Sequence, residues 1–143
     1  MARVCGVLNK RIIRLSANPD GFGRVADPLD EQAFLSEVPT QHTHYFWEDD
    51  DTGLYVGVWD TTSMIETAGP YPCDEFMWLL EGSLSLHDEN DELHHFKAGD
   101  AFFLEQGTVC RWSTAEHVST AYAIVRNTPA KDTNDNIRGI NNE

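Results

Sequence analysis

The feature that most constrains this chain is a series of short aromatic and β-branched runs between residues 44 and 125. Turn-forming residues, mostly Gly, Asp, Glu and Asn, separate these runs. Short strands at such spacing are typical of an all-β sandwich or barrel. The predicted strands cover residues 44–47, 54–59, 75–80, 83–87, 93–96, 101–104, 108–112 and 118–125.

The two ends of the chain lack this strand pattern. Residues 1–40 contain one candidate helical turn, which Asp27 would cap and in which Pro28 would occupy the first position. Residues 127–143 are rich in Asn and Asp and poor in large apolar residues. We therefore expect an N-terminal arm at 1–40 packed on the barrel or on a partner, a barrel at 41–126 and a loose tail at 127–143.

The composition narrows the classes of function. Ten Lys and Arg residues stand against 24 Asp and Glu residues, which gives a formal net charge of −14. Such a surface repels phosphate backbones, so no nucleic-acid partner is expected. The longest apolar run, residues 76–80, is too short to cross a membrane, and residues 1–15 lack the apolar core of a secretory signal. Three widely spaced cysteines do not form a disulfide framework, and a cytoplasmic protein is expected.

Alternation along the strand at residues 75–80 identifies the first candidate functional residue. Glu75 and Met77 share one face of this strand, while Phe76 and Trp78 share the other. Both faces are apolar apart from Glu75, so we expect the barrel interior to cover one and another layer or subunit to cover the other. The expected assembly is a symmetric homodimer. A carboxylate on such a strand is costly unless it is paired, coordinated or protonated.

Several short segments stand in the order that a known family has. They are Gly57-Val58-Trp59, Asp74-Glu75-Phe76, Leu79-Leu80-Glu81-Gly82, Ala98-Gly99-Asp100, Gly107, Trp112 and Tyr122. With these segments the chain resembles the small single-domain cupins of the ureidoglycine aminohydrolase and ethanolamine-utilisation protein Q type. The resemblance implies a cupin-type double-stranded β-helix, a jelly-roll barrel, with an N-terminal extension and a small-molecule site inside the barrel.

The resemblance also implies a metal site, but the chain departs from the family pattern at the ligands. The places of the first motif's two histidines fall on residues 69 and 71 or on 68 and 70, and none of these is histidine. Cys110 stands in the place of the second motif's histidine, and Glu75 is retained. If a divalent transition metal is bound, the expected ligands are Glu75, Cys110 and Tyr71. The missing histidines favour a barrel without metal or other cofactor.

Three functions remain open at this stage. In the first, the barrel is an enzyme on a small polar metabolite, with hydrolase-type or lyase-type chemistry that uses Glu75 as the acid or base and Cys110 as a second proton donor or a ligand. In the second, it is a metal-free module that binds a small ligand. In the third, it is a regulatory or structural subunit. The ligand-lining candidates are Tyr71, Met77, Trp112 and Tyr122.

Each candidate also has a purely structural explanation. A neighbouring tyrosine or backbone groups could satisfy a buried Glu75, and a buried Cys110 could be a small apolar filler. Cys73, in a Pro-rich loop, is expected to be an incidental thiol. His42 and His44 would share one strand face and could bind zinc or copper. No third ligand is evident near them in the sequence, so an exposed strand edge is favoured.

Overall fold

The computed structural model describes residues 12–23 and 25–126. These residues form ten β-strands and one 3-10 turn, Glu31–Ala33. The strands are β1 (Gln41–Asp49), β2 (Leu54–Thr61), β3 (Met64–Ile65), β4 (Gly69–Pro70), β5 (Asp74–Glu81), β6 (Ser83–Asp88), β7 (Leu93–Lys97), β8 (Ala101–Leu104), β9 (Val109–Thr114) and β10 (Val118–Val125). Within the described ranges, no helix is long and apolar enough to cross a membrane.

The strands form two antiparallel sheets that enclose one core. The first sheet has the order β1-β2-β10-β5-β8, and the second has the order β3-β9-β6-β7, with β4 also paired to β9. The predicted all-β jelly-roll architecture is confirmed. Every predicted strand is found, most of them extended by one to three residues at an end. The predicted hairpin joins β1 and β2, and its acidic turn is closed by the Gly53 N–H, which donates to the Asp49 carbonyl at 2.8 Å.

The N-terminal turn differs from the prediction at its cap. Asp30, not Asp27, caps the 3-10 turn, because its side chain accepts a hydrogen bond from the Gln32 N–H at 3.0 Å. Asp27 is instead tied to β1: its own N–H donates to the Gln41 carbonyl at 2.8 Å, and its carboxylate accepts from Thr43 Oγ1 at 2.6 Å. The predicted tail at 127–143 and residues 1–11 of the predicted arm lie outside the described residues.

The inner faces of both sheets meet around Trp112 of β9. Its ring stacks on Tyr71 with centroids 6.1 Å apart and contacts Trp59 edge-on at 6.0 Å. Phe102 of β8 contacts the same ring at 6.0 Å. Because Trp59 and Phe102 belong to the first sheet and Trp112 to the second, this aromatic cluster joins the two layers.

The outer face of the first sheet carries exposed aromatic residues. Phe76 and Trp78 of β5 are 46% and 51% exposed, and Phe103, the cross-strand partner of Phe76 on β8, is 60% exposed. Within the described chain, the barrel interior covers only the other face of β5. The second cover expected from the sequence, another subunit, stays a prediction.

Candidate functional site

Glu75 lies near the start of β5, on the inner face, and is 1% exposed. Its cross-strand partners on that face are the apolar residues Ile124 and Leu104. Tyr71 Oη donates a hydrogen bond to Glu75 Oε1, while Oε2 has no partner among the described residues. Burial raises the pKa of Glu75 well above its usual range, although the Tyr71 hydrogen bond acts in the opposite direction. Burial therefore shifts the protonation equilibrium of this side chain toward the neutral carboxylic acid.

Tyr71 is held in place by its backbone. Its N–H donates to the Thr108 carbonyl and its own carbonyl accepts from the Gly107 N–H, both at 2.8 Å. Pro70 and Pro72 flank it and restrict the chain on both sides. Burial, and then the charge of Glu75, raises the pKa of Tyr71 well above its usual range, so its hydroxyl stays a donor. The hydrogen bond from Tyr71 is thus the contact that the purely structural explanation requires, in which a neighbouring tyrosine satisfies the buried Glu75 carboxyl group.

The two described thiols have different charged neighbours. Cys110 of β9 is buried, and burial followed by the charge of Glu66 raises its pKa to about 11. Cys73 is also buried, and burial followed by the charge of Glu75 raises its pKa to about 12. The thiol on which Glu75 acts electrostatically is therefore Cys73 rather than the family-position Cys110. Cys73 lies in the loop between β4 and β5, as predicted, and its side chain is part of the buried core.

Glu66 is a site residue that the sequence analysis missed. It lies between β3 and β4, and its N–H donates to the Trp112 carbonyl at 2.9 Å. Its half-buried carboxylate raises the pKa of Glu75, Tyr71 and Cys110, and so lies within electrostatic range of all three. The strands on either side have two residues each, so no periodicity in the sequence could show which way Glu66 faces.

The remaining predicted site residues all belong to the buried core. Met77 and Tyr122 face each other across β5 and β10, and Trp112 is the centre of the aromatic cluster. Tyr122 packs against Gly57, the residue opposite it on β2. Burial raises the pKa of Tyr122 above its usual range, so it also keeps its proton.

Three buried polar atoms on the inner wall have no hydrogen-bond partner among the described residues. They are the indole nitrogen Trp59 Nε1, the hydroxyl oxygen Thr120 Oγ1 and the carboxyl oxygen Glu75 Oε2. Two neighbouring groups are paired: the Trp112 side chain forms a hydrogen bond with Cys110, and the Tyr122 hydroxyl forms one with Tyr45. Buried polar atoms in folded proteins are nearly always satisfied by protein, water or ligand, so these three atoms are the polar groups of the inner wall that a ligand can satisfy.

Comparison with known proteins identifies the family. The family model described as the EutQ-like cupin domain matches residues 49–122, about half of the chain. The chain belongs to the EutQ-like cupins. This cupin is similar to a protein of unknown function of the DUF861 family from Pseudomonas syringae pv. tomato, with 29% identity and a TM-score of 0.70. The match covers 78% of this chain and 46% of that protein, so this chain spans about half of its length.

Two ethanolamine utilisation proteins Q share the fold of this cupin. The one from Salmonella typhimurium is 20% identical with a TM-score of 0.56, over 71% of this chain and 80% of that one. The EutQ protein of Clostridium difficile is 13% identical with a TM-score of 0.55, over 69% and 80%. At these identities the likeness concerns the fold alone. No curated protein matches the chain.

The inner wall of this cupin does not fit a transition-metal site. None of the six histidines belongs to the buried core. The three remaining candidates, Glu75, Tyr71 and Cys110, include no imidazole, and burial raises the pKa of each of them. Metal ligation needs the deprotonated carboxylate, phenolate or thiolate. We therefore assign no metal-dependent step to the barrel.

Proposed function

We propose that the barrel binds a small uncharged polar molecule through its inner wall. The observation that carries this proposal is the set of three buried polar atoms without partners, which lie on the adjacent strands β2, β10 and β5 of the first sheet. An apolar wall with a few polar groups is the usual composition of a small-molecule site. Aromatic rings at Trp59, Trp112 and Tyr71 supply flat apolar surface next to those polar atoms.

The chemistry of the wall narrows the class of ligand. The Trp59 indole N–H can only donate, and Glu75 in its protonated form, which burial favours, also offers an O–H. A donor-rich wall is complementary to a ligand rich in acceptors, such as carbonyl or hydroxyl oxygens. No Lys, Arg or His belongs to the buried part of the described chain, and Glu66 lies close by. This electrostatic environment disfavours a carboxylate or phosphate ligand.

A second candidate function is acid–base chemistry on the bound molecule. A carboxyl group whose pKa is raised toward neutrality is suited to donate a proton. Glu75 has such a raised pKa, and its free oxygen Oε2 is the one available to a ligand. The alternative to catalysis is a binding or regulatory cupin that uses the same atoms only for recognition.

Ligand-observed NMR with a matched fragment set tests the proposal. The set contains neutral amides, lactones and polyols together with their carboxylate and amine counterparts. We expect the neutral fragments to bind and Thr120→Val to weaken their binding, because valine keeps the shape of threonine but lacks the hydroxyl. Ser119→Ala is the matched control, because Ser119 also has a buried hydroxyl without a partner but lies on the outer face. Binding only by charged fragments, or equal effects of both variants, would contradict the proposal.

A further inference from the structure

The outer face of the second sheet carries positive charge in a strongly acidic chain. In β9, β6 and β7 the odd-numbered side chains share this face, because Leu84, Leu86 and Trp112 between them are buried. None of these odd-numbered residues is Asp or Glu, although the chain has 24 Asp and Glu against ten Lys and Arg. They are Val109, Arg111, Ser113, Ser83, Ser85, His87, Leu93, His95 and Lys97.

The strand register places the polar side chains of this face in two adjacent rows. Arg111 of β9 is the cross-strand partner of His87 on β6, and Ser113 is the partner of Ser85. His95 of β7 continues the second row, where its Nδ1 lies 3.0 Å from Ser85 Oγ. Successive residues on one face of a strand are about 7 Å apart, so one small molecule can contact both rows.

Arg111 is the central charge of this face. Because a guanidinium can only donate, its Nη2 donates to His87 Nδ1 at 3.2 Å, and the ring proton of His87 lies on Nε2. Arg111 forms no ion pair with a carboxylate among the described residues, and its buried Nε has no hydrogen-bond partner there. The fold thus holds a half-buried positive charge next to an uncharged acceptor.

Two acidic side chains near the margins of this face are already paired with other groups. Glu116 Oε1 accepts from Ser83 Oγ at 3.4 Å, two rows away from Arg111. Asp88 Oδ2 lies 2.9 Å from His94 Nε2, on the hairpin that joins β6 and β7. Neither carboxylate forms an ion pair with Arg111, so its charge remains available to a ligand.

An anion with several oxygens matches this arrangement. A guanidinium that is partly removed from water gains stability from an oxyanion, whose oxygens accept two parallel N–H bonds from the arginine. The Ser113 and Ser85 hydroxyls and the Nε2–H of His87 are further donors on the same face. The two oxygens of a carboxylate are fully used by the arginine, whereas a phosphate group has oxygens left for the hydroxyls. The set of donors therefore favours phosphate.

We propose that Arg111, with His87, Ser113 and Ser85, forms a binding site for the phosphate group of a small molecule. The site lies on the outer face of the second sheet, whereas Cys110 on the same strand faces the core. It is independent of the function proposed for the barrel, whose interior disfavours anions.

Titration of the full-length protein with inorganic phosphate tests the site. NMR signals of the arginine Nε–H groups report on Arg111 directly, and Arg111→Gln assigns its signal. We expect phosphate to shift this signal to saturation with a dissociation constant of about 1–10 mM. Acetate is expected to bind at least about fivefold more weakly. Chloride at the same ionic strength is expected to give no saturable shift. Acetate that binds as tightly as phosphate would overturn the assignment to phosphate.

Two variants separate this site from general attraction of anions. Binding is followed through the backbone amide signals of β6 and β9, and near-ultraviolet circular dichroism checks the fold. Arg111→Gln is expected to weaken phosphate binding by about tenfold or more, because glutamine lacks the charge and the paired donors. Lys97→Gln removes an equal charge from β7, two rows away, and should change the dissociation constant by less than about twofold.

Two results would overturn the proposed site. One is equal weakening of phosphate binding in Arg111→Gln and Lys97→Gln, which would indicate diffuse attraction. The other is the absence of a saturable shift at phosphate concentrations up to about 50 mM. Arg111 faces away from the barrel interior, so neither result bears on the binding of neutral fragments there.

Discussion

Gly57 of β2 provides the space that the Tyr122 hydroxyl occupies on β10. The two residues are cross-strand partners, and a Cβ at position 57 would lie 2.7 Å from Tyr122 Oη and would overlap the His44 carbonyl oxygen. Replacing a strand glycine with alanine usually stabilises a protein by about 0.5–1 kcal/mol. We expect the opposite for Gly57→Ala, a loss of about 1–3 kcal/mol in the free energy of unfolding, because the inner wall must shift. Chemical denaturation of the variant and the wild type measures this loss in the free energy of unfolding.

Gly107→Ala is the control for this prediction. Gly107 has a positive φ of 89° but no atom within 4 Å of the added Cβ, so its substitution adds backbone strain without a clash. The expected loss is about 1–2 kcal/mol, with unchanged tyrosine signals in near-ultraviolet circular dichroism. If Gly57→Ala were as stable as the wild type, the close packing of Tyr122 on β2 would be wrong.

The raised pKa of Glu75 predicts how the free energy of unfolding depends on pH. Its pKa in the folded protein is raised above the ordinary value of 4.5, so above that pH the folded state binds more protons than the unfolded state. The stabilisation that the fold gains because Glu75 binds its proton more tightly in the folded state is therefore complete at low pH. It is lost as the pH rises through the pKa of Glu75 in the folded protein. We expect Glu75→Gln, which cannot ionise, to gain stability relative to the wild type between about pH 5 and pH 8. Urea denaturation at several pH values gives the difference, and a difference constant over this range would contradict the raised pKa.

The thiols supply a test of the electrostatics around Glu66. Cys110 and Cys73 have pKa values raised to about 11 and about 12, so alkylation of both should be slow below about pH 9. Glu66→Gln should speed the alkylation of Cys110, whereas Glu75→Gln should speed that of Cys73. Cys5, which lies outside the described residues, is replaced by serine, and mass spectrometry of peptides distinguishes the other two. Rapid reaction of Cys110 near neutral pH would indicate an activated cysteine instead.

Jelly-roll strands were predictable where they are long enough to show alternation. The run at residues 118–125 was predicted with the bounds that β10 has, because aromatic and β-branched residues fill it. The two-residue strands β3 and β4 were not predicted, because two residues carry no period and β4 contains a proline. The cap was misplaced because Asp27 and Asp30 are equally good caps in sequence, and only the bond from Asp27 to β1 separates them.

The candidate site was predictable in part for a similar reason. Alternation placed Glu75 and Met77 on an inner face, and the family pattern pointed to Cys110 and Tyr71. The contacts of Asp60 with His42 and His117 on the outer face of the first sheet were not predictable, because the residues they join are 18 and 57 positions apart in the sequence. Such contacts depend on the strand register, which a single sequence does not specify. The ligand was not predictable either, because one fold serves many chemistries.

The exposed aromatic face of β5 and β8 leads to a prediction about assembly. We propose that Phe76, Trp78 and Phe103 are covered by a second copy of the chain, as expected for a symmetric homodimer. Trp78→Glu should then give a monomer in light scattering at tens of micromolar. Leu93→Glu, which changes an equally exposed apolar residue on β7, should leave the dimer intact. A wild-type protein that is monomeric under these conditions would rule out this interface.

The position of β10 has a consequence for the order in which the barrel can be completed during synthesis. This strand, the last in the described residues, lies in the centre of its sheet, between β2 and β5, which precede it by many residues. Until residues 118–125 have left the ribosome, β2 and β5 each keep one unpaired edge, and exposed strand edges recruit other chains. The nascent chain therefore carries two aggregation-prone edges until β10 has been synthesised, and a truncation before Val118 would leave both of them permanently open.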